Sequence, residues 1–510
     1  MNLATALEAN PPADLNAPCI HAACGRIYSW REVRDTTARL TALLLSLKLP
    51  ADARVAVQVE KSPEALFLYL AVLRAGLVYL PLNTAYREKE MAYFLEDAAP
   101  SVVVASGASA PWVAPLVPPG ARLFTLEEDG NGSLMEAAAP FPADAPAVER
   151  KADDLAAILY TSGTTGRSKG AMLTHGNLLS NAQTLHEAWG WRSDDVLLHA
   201  LPIFHAHGLF VAAQGALLAG AQMLWFPKFN AGEVLAALPR ATVMMGVPTF
   251  YVRLLADPGL TRERCAGMRL FISGSAPLLA ETFAAFRERT GHTILERYGM
   301  TETIMLVSNP YDPAKGERLA GTVGMPLPGV EARVVNAAGE PCAPGEIGAI
   351  QVRGPNVFKG YWQMPEKTKE EFTADGWFKT GDLGRWGGET AGRTAPDHYL
   401  TIVGRSKELI ICGGYNVYPK EIEGYINELP GVAESAVFGV RHPDFGEAVA
   451  AAVVPQAGAQ LDPEAMKETL KSRMANFKAP KQIHLLPELP RNAMGKVQKN
   501  RLQEEFNPAR

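Results

Sequence analysis

The stretch richest in groups that could bind or move charge runs from Tyr160 to Gly170 and reads Y-T-S-G-T-T-G-R-S-K-G. Glycines there let successive backbone N–H groups turn towards one point. Such a concavity binds anions, and hydroxyls with a lysine around it favour phosphate oxygens. Apolar Leu155–Leu159 reads as a buried strand before it, and Gly170–Leu173 as a second short apolar run after it, so the loop joins two strands. This is not a Walker A loop, which needs G-x-x-x-x-G-K-[ST] opening into a helix. Counted from Gly163, the second glycine position holds Ser168. Taken alone, a polar hairpin loop explains the segment as well as a phosphate cradle does.

Other chemistry-bearing groups are spread along the chain. His205 and His207 stand two apart and could ligate a metal. No third ligand is near, and one structural and one pocket-lining histidine is the favoured reading. Strands at Ala241–Met245, Arg269–Ile272 and Thr293–Leu295 lead into small or polar turns. The last two turns are Ser273–Pro277 and E-R-Y-G-M-T-E-T (296–303). In open α/β sheets ligands bind at the carboxyl ends of strands, so these turns gather on one face with the central loop. Asp382 ends a strand in T-G-D and could be a turn residue. Lys496 lies in P-R-N-A-M-G-K-V-Q-K, where a lone lysine is a surface group by default.

The elements that position these groups alternate helix and strand. Ser29–Glu32 fits a capping box opening a helix to about Leu47, and Ser62-Pro63 caps another that ends at Gly76. Glu88–Ala98 is a further helix, among strands at Arg54–Val59, Val78–Leu82 and Ser101–Ala105. This is α/β with a largely parallel sheet. Residues 107–150, rich in Ala and Pro, read as a variable surface connection. From 321 the pattern turns to alternating antiparallel strands. Beyond Arg405 a compact α+β unit of roughly a hundred residues follows.

At 510 residues the chain is too long for one core. Its formal charge of −5 is small and spread out, which gives no footprint for nucleic acid. Five scattered cysteines without a C-x-x-C pair argue against a zinc site and fit reduced thiols in a cytoplasm. Met1–Asn16 does not read as a signal peptide. The most apolar window, Leu209–Phe226, reads as a buried helix rather than a membrane span.

Five segments together, Tyr160–Gly170, Arg297–Thr303, Thr380–Asp382, Gly404–Tyr415 and Pro490–Lys499, resemble the adenylate-forming superfamily of acyl-CoA synthetases, adenylation domains and luciferases. Residues around Leu201–Phe210, Val247–Tyr251, Phe271–Leu278 and Glu296–Thr303 resemble more narrowly the malonyl-CoA synthetases within it. The resemblance implies an α/β N-terminal domain over 1–404, with layered sheets and a small β-barrel-like part, and a small α+β C-terminal lid over 405–510. It implies ATP, Mg²⁺ and coenzyme A, and two half-reactions. A carboxylate attacks the α-phosphate to give acyl-AMP and pyrophosphate; after the lid rotates, the CoA thiol displaces AMP.

The resemblance also implies roles. Thr161, Ser162, Gly163, Thr164, Thr165, Gly166 and Lys169 hold the β- and γ-phosphates. Gly274, Ser275, Ala276 and Pro277 line the adenine, with Tyr298 stacked on it and Glu296, Gly299 and Met300 completing the nucleotide site. Thr301 bonds the α-phosphate and Glu302 helps bind Mg²⁺, as a hard cation prefers oxygen. Asp382 and Arg405 hold the ribose. Lys496 bridges carboxylate and α-phosphate, and acetylation by a lysine acetyltransferase would remove its charge. Lys407 is the hinge, and Gly413 and Gly414 border the CoA tunnel.

Within that frame Arg297 bears on the choice of acid. A buried arginine without an anion is costly, so a second substrate carboxylate would pair with it. Malonate is the first expectation, with His207 assisting, His205 as a wall and Ser275 in contact. Pairing of Arg297 with Glu296 or another protein carboxylate is the competing expectation. Apolar Ile304, Met305 and Leu306 leave methylmalonate open. A domain loading a carrier protein, a luciferase-like oxygenase and a nucleotide-sensing pseudoenzyme are the rival functions, although Lys496, Glu302 and Asp382 are all present.

Overall fold

The computed structural model describes residues 2–161, 168–412, 415–442, 446–492 and 495–507. The chain forms two compact units. One comprises 1–331 with 352–378; the other comprises 332–351 with 379–510.

The first unit holds a nine-stranded and a seven-stranded sheet. In the larger, six strands run parallel in the order Leu295–Tyr298, Leu270–Ser273, Val243–Gly246, Val196–His199, Gln222–Trp225, Pro18–Ala22. Antiparallel Val307–Ser308 and Ile27–Ser29 flank this run. In the smaller, Val78–Pro81, Arg54–Gln58, Val102–Ala105 and Arg122–Thr125 are parallel. Leu155–Thr161 joins them in parallel, then turns through the central loop into antiparallel Lys169–Thr174. The central loop therefore joins two paired strands, as its flanking apolar runs predict.

Local signals account for the helices. The box at Ser29 is made in both directions, opening Trp30–Ser46. Ser62 caps Pro63–Arg74 with proline in its first turn, and Glu88–Ala98 has the expected limits. Three readings are corrected. Residues 107–150 contain the short helices Ala110–Val113 and Ser133–Ala138 and the strand Arg122–Thr125, which the Ala/Pro-rich composition hid. The apolar window 209–226 is not one helix: a π-helical His207–Ala213 passes into Gln214–Ala219, and left-handed Gly220 turns the chain into the strand Gln222–Trp225. The strand expected to stop at Leu295 continues to Tyr298, so Arg297 belongs to a sheet rather than a turn.

The second unit has a four-stranded antiparallel-edged sheet ending in the long hairpin Phe378–Thr390 and Arg393–Arg405. Its other sheet centres on the hairpin Val432–His442 and Gly446–Pro455, with Gln482–Leu485 alongside. Alternation divides this hairpin between two cores. Val437, Val449, Ala451 and Val453 pack with Ile422, Ile426, Met466 and Leu470; Ala436, Phe438, Val440, Ala448, Ala450 and Ala452 pack with Leu502. Period two in the sequence thus serves two helical faces. The helix Lys499–Phe506, which the sequence reading did not mark, seals the second core through Leu502.

Helix His175–Ala188 links the N-terminus to the site loops. Its first residue, buried His175, accepts the Leu3 N–H at Nδ1 (3.0 Å). Burial, with help from Arg150 and opposed by Asp154, lowers the His175 pKa from 6.5 to about 4. Because the folded pKa lies below the unfolded one, stability is full above about pH 6.5 and falls as pH drops towards 4. Wild type should lose about 2 kcal/mol more than His175→Asn between pH 7.5 and 5, since asparagine keeps an acceptor without titrating. Urea unfolding at both pH values measures this; parallel losses would contradict it.

Candidate active site

The mouth of the central loop is braced by its neighbours. Thr161 faces Lys169 across the strand pair, and Tyr160 faces Gly170. A Cβ on Gly170 would meet Ile158 at 2.9 Å and Trp362 at 3.2 Å, so the second strand enters only as glycine. Tyr93 Oη donates to Ser168 O (2.7 Å), and Tyr160 Oη donates to Asp97. Lys169 Nζ lies 3.5 Å from Glu371 and 4.1 Å from the centre of the Tyr361 ring. Ser162, Gly163, Thr164, Thr165 and Gly166 lie outside the described residues.

Tyr361 joins this mouth to the next loop. Its hydroxyl donates to Glu302 Oε1 (2.9 Å), and the Phe358 N–H donates to Glu302 O (2.8 Å). Burial and then the adjacent Glu302 raise the Tyr361 pKa, so it stays a donor. Glu302 is itself buried. An oriented carboxylate of this kind suits a hard cation such as Mg²⁺.

Thr301 and Glu302 sit in a tight connection from Leu295–Tyr298 back to Val307–Ser308, in which Arg297 faces Ser308 and Tyr298 faces Val307. The Leu306 N–H donates to Tyr298 O (3.0 Å). A Cβ on Gly299 would stand 1.9 Å from Ile304 O, and Ile304 takes a left-handed φ of 56°. That conformation is costly for a β-branched residue and persists only where surroundings enforce it. Here Asn356 Nδ2 donates to Thr303 O (2.7 Å) and Met305 O (2.9 Å), and Asn181 Nδ2 also donates to Met305 O (2.9 Å). Ile304, Met305 and Leu306 are all buried. Tyr298, Gly299, Met300 and Thr301 are half-buried.

Arg297, Gly274, Ser275 and His207 come together. Arg297 is 3% exposed, and its Nε and Nη2 have no hydrogen-bond partner. A Cβ on Gly274 would come within 2.4 Å of Arg297 Cζ, so the guanidinium lies against bare backbone. Ser275 follows with φ of 70°, and its Oγ is 3.3 Å from His207 Nδ1. His207 is buried and its Nε2 has no partner. Burial, then Arg297, His205 and His199, holds the His207 pKa well below 6.5, so the imidazole is neutral. Burial also lowers the Arg297 pKa, to about 9, against a small opposing effect of Tyr251. His205 is half-buried; its carbonyl accepts the Leu209 N–H (3.0 Å). Ala276 and Pro277 are exposed.

Glu296 does not neutralise Arg297. Along one strand the two side chains take opposite faces. Glu296 is buried and its Oε1 accepts the Leu278 N–H (3.0 Å). Among the described residues Arg297 makes no ion pair.

The second unit holds the remaining groups. Asp382 and Arg405 are cross-strand partners, with Arg405 Nε 3.0 Å from Asp382 Oδ1. Asp382 is buried while Arg405 is largely exposed, and the Asp382 N–H donates to Thr380 Oγ1 (3.1 Å). Lys407 is exposed in a short 3₁₀ turn. Lys496 is exposed at the end of a turn closed by its N–H to Asn492 Oδ1 (3.0 Å). Three residues on, Lys499 is held by Glu423 (2.6 Å) and Glu408 (3.1 Å). Gly413 and Gly414 lie outside the described residues.

Sequence reasoning missed the supports: Tyr361, Asn356, Asn181 and Lys499. Each acts through a partner far away in the chain or on a separate element, and no local motif marks it.

Comparison with known proteins is specific. The AMP-binding enzyme family matches residues 7–362, and the AMP-binding enzyme C-terminal domain matches 421–496. A malonate–CoA ligase of Arabidopsis thaliana is 35% identical, over 94% of this chain and 85% of its own. A feruloyl-CoA synthase of Amycolatopsis is also 35% identical, over 94% of each. Among solved structures, ATP-bound MatB from Rhodopseudomonas palustris superposes with a TM-score of 0.94 at 52% identity, over 99% of this chain and 98% of that one.

A buried cation with open donors destabilises the ligand-free protein. Arg297→Met should therefore raise its unfolding free energy by roughly 1–3 kcal/mol, the scale of an unsatisfied buried group. Chemical denaturation without ligands tests this, and a less stable variant would contradict it.

Proposed function

Because this chain belongs to the AMP-binding enzyme family, we propose that it is an AMP-forming acid–thiol ligase that joins malonate to coenzyme A through malonyl-AMP. The observation that carries the choice of acid is the buried Arg297, with Nε and Nη2 unpartnered beside an unpartnered His207 Nε2. These donors suit a carboxylate that does not react. A feruloyl-type acid presents no second carboxylate for these groups to bind.

In this reading Thr161 and Lys169 hold the phosphates, together with Ser162, Gly163, Thr164, Thr165 and Gly166. Tyr298 and the 274–277 turn hold the base. Thr301 donates to the α-phosphate, and Asp382, oriented by Thr380, binds the ribose with Arg405. Glu302 would hold Mg²⁺, which when bound offsets triphosphate charge. Its Tyr361 hydrogen bond fits that role by fixing the carboxylate. Lys496 places a positive charge where the attacking carboxylate meets the α-phosphate, stabilising charge that builds there. Residues 405–510 act as the lid, hinged at Lys407, so that Lys496 serves the first half-reaction alone. Acetylation of the exposed Lys496 would silence that half-reaction by removing its charge. A cytoplasmic location belongs to the same reading and is consistent with the five free cysteines. Among the described residues no helix is long and apolar enough to cross a membrane.

ATP- and CoA-dependent AMP release across malonate, methylmalonate, succinate, acetate and octanoate tests the assignment. Malonate is expected to lead; a leading monocarboxylate would remove it. Lys496→Ala should abolish malonyl-AMP formation yet leave thioester formation from supplied malonyl-AMP, measured separately. Equal loss of both half-reactions would refute the assigned role of Lys496.

A further inference from the structure

Behind the Arg297 cluster lies a second set of buried polar groups that the proposed reaction does not use. Lys61 is 6% exposed. Its Nζ donates to His199 O (2.8 Å) and Phe226 O (2.7 Å), and lies 2.8 Å from His199 Nδ1. It also sits 4.4 Å from the centre of the Trp225 ring, a residue paired with His199 across adjacent strands. His199 is buried as well, and its Nε2 is 2.9 Å from Gly208 O. Gly208 is the residue after His207, in the first turn of the π-helical segment. A Cβ there would strike Pro202 O at 2.0 Å, so this turn is held at close quarters.

The donor order follows from chemistry. A lysine Nζ can only donate to a ring nitrogen that carries a lone pair, so His199 Nδ1 accepts. The ring proton is then on Nε2, where it donates to the Gly208 carbonyl. Lys61 thereby selects the His199 tautomer, and that tautomer ties down the backbone beside His207. Without Lys61 the proton is free to move to Nδ1, which would set a lone pair against the Gly208 oxygen. Burial lowers the pKa of both Lys61 and His199. Two carbonyl oxygens and one ring nitrogen around Nζ match the three N–H groups of the ammonium form, on which this donor order rests.

We propose that Lys61 and His199 are positioning residues for substrate selectivity: through Gly208 they hold His207 against Ser275 and Arg297, where a second carboxylate binds. The inference rests on the malonate reading and adds to it two residues that touch no substrate. π-helical turns commonly occur at functional sites, and this relay supplies a local reason for one here.

The test compares Lys61→Met, His199→Leu and His199→Gln with wild type in steady-state AMP release. Glutamine can accept from Lys61 and still donate to Gly208, whereas leucine can do neither. Lys61→Met and His199→Leu should raise the malonate KM by at least about tenfold with the ATP KM within about twofold, and His199→Gln should stay near wild type. If Lys61→Met does not fold, the His199 pair alone decides. Malonate and ATP KM values that move together, or that do not move, would overturn the relay, as would His199→Gln failing as badly as His199→Leu. A wild-type enzyme inactive on malonate would instead overturn the underlying reading, and the relay with it.

Discussion

A guanidinium buried without an anion constrains much of the first unit's architecture. Arg297 sits within a strand paired on both sides and is buried there. The sheet that fixes it also brings Gly274 alongside, because Ser273 pairs with Glu296 one step earlier. Only a residue without a side chain leaves space for the guanidinium there. Ser275 then turns through a left-handed conformation and reaches His207. A cation, a neutral imidazole and a hydroxyl are thus assembled before any ligand arrives, which lowers the ordering cost of binding one.

The neighbouring Thr301–Glu302 loop shows the same preorganisation by other means. It contains a strained isoleucine and a glycine packed onto a carbonyl, and it would relax if left alone. Asn356 and Asn181 come from different elements and clamp its carbonyls, while Tyr361 fixes its carboxylate. Strain held by side-chain amides is a way to keep the Glu302 carboxylate and the Thr301 hydroxyl in one geometry.

The sequence made some of this legible and left the rest hidden for physical reasons. Caps at Ser29 and Ser62, apolar spacing and the paired runs around the central loop are local signals, and the elements they predict are present. Arg297 stood out because its charge conflicts with a buried strand end. The continuation of that strand to Tyr298 was missed because E-R-Y is polar, and its pairing with Val307–Ser308 is a tertiary fact. The window 209–226 misled because apolar character alone does not separate a buried helix from a buried strand, and Gly220 marks the turn between them. Lys61 and His199 carry no motif. Their meaning exists only once two strand ends and the His207 turn are brought together.

Because the account centres on an arginine awaiting a second carboxylate, the most direct measurement is kcat/KM for malonate in Arg297→Ala against wild type, with the ATP KM determined alongside. A loss of about 10²–10³ with the ATP KM unchanged is the result the account predicts, since stranding a buried carboxylate costs several kcal/mol. Malonate kinetics equal to wild type would contradict it and would return Arg297 to a purely structural role.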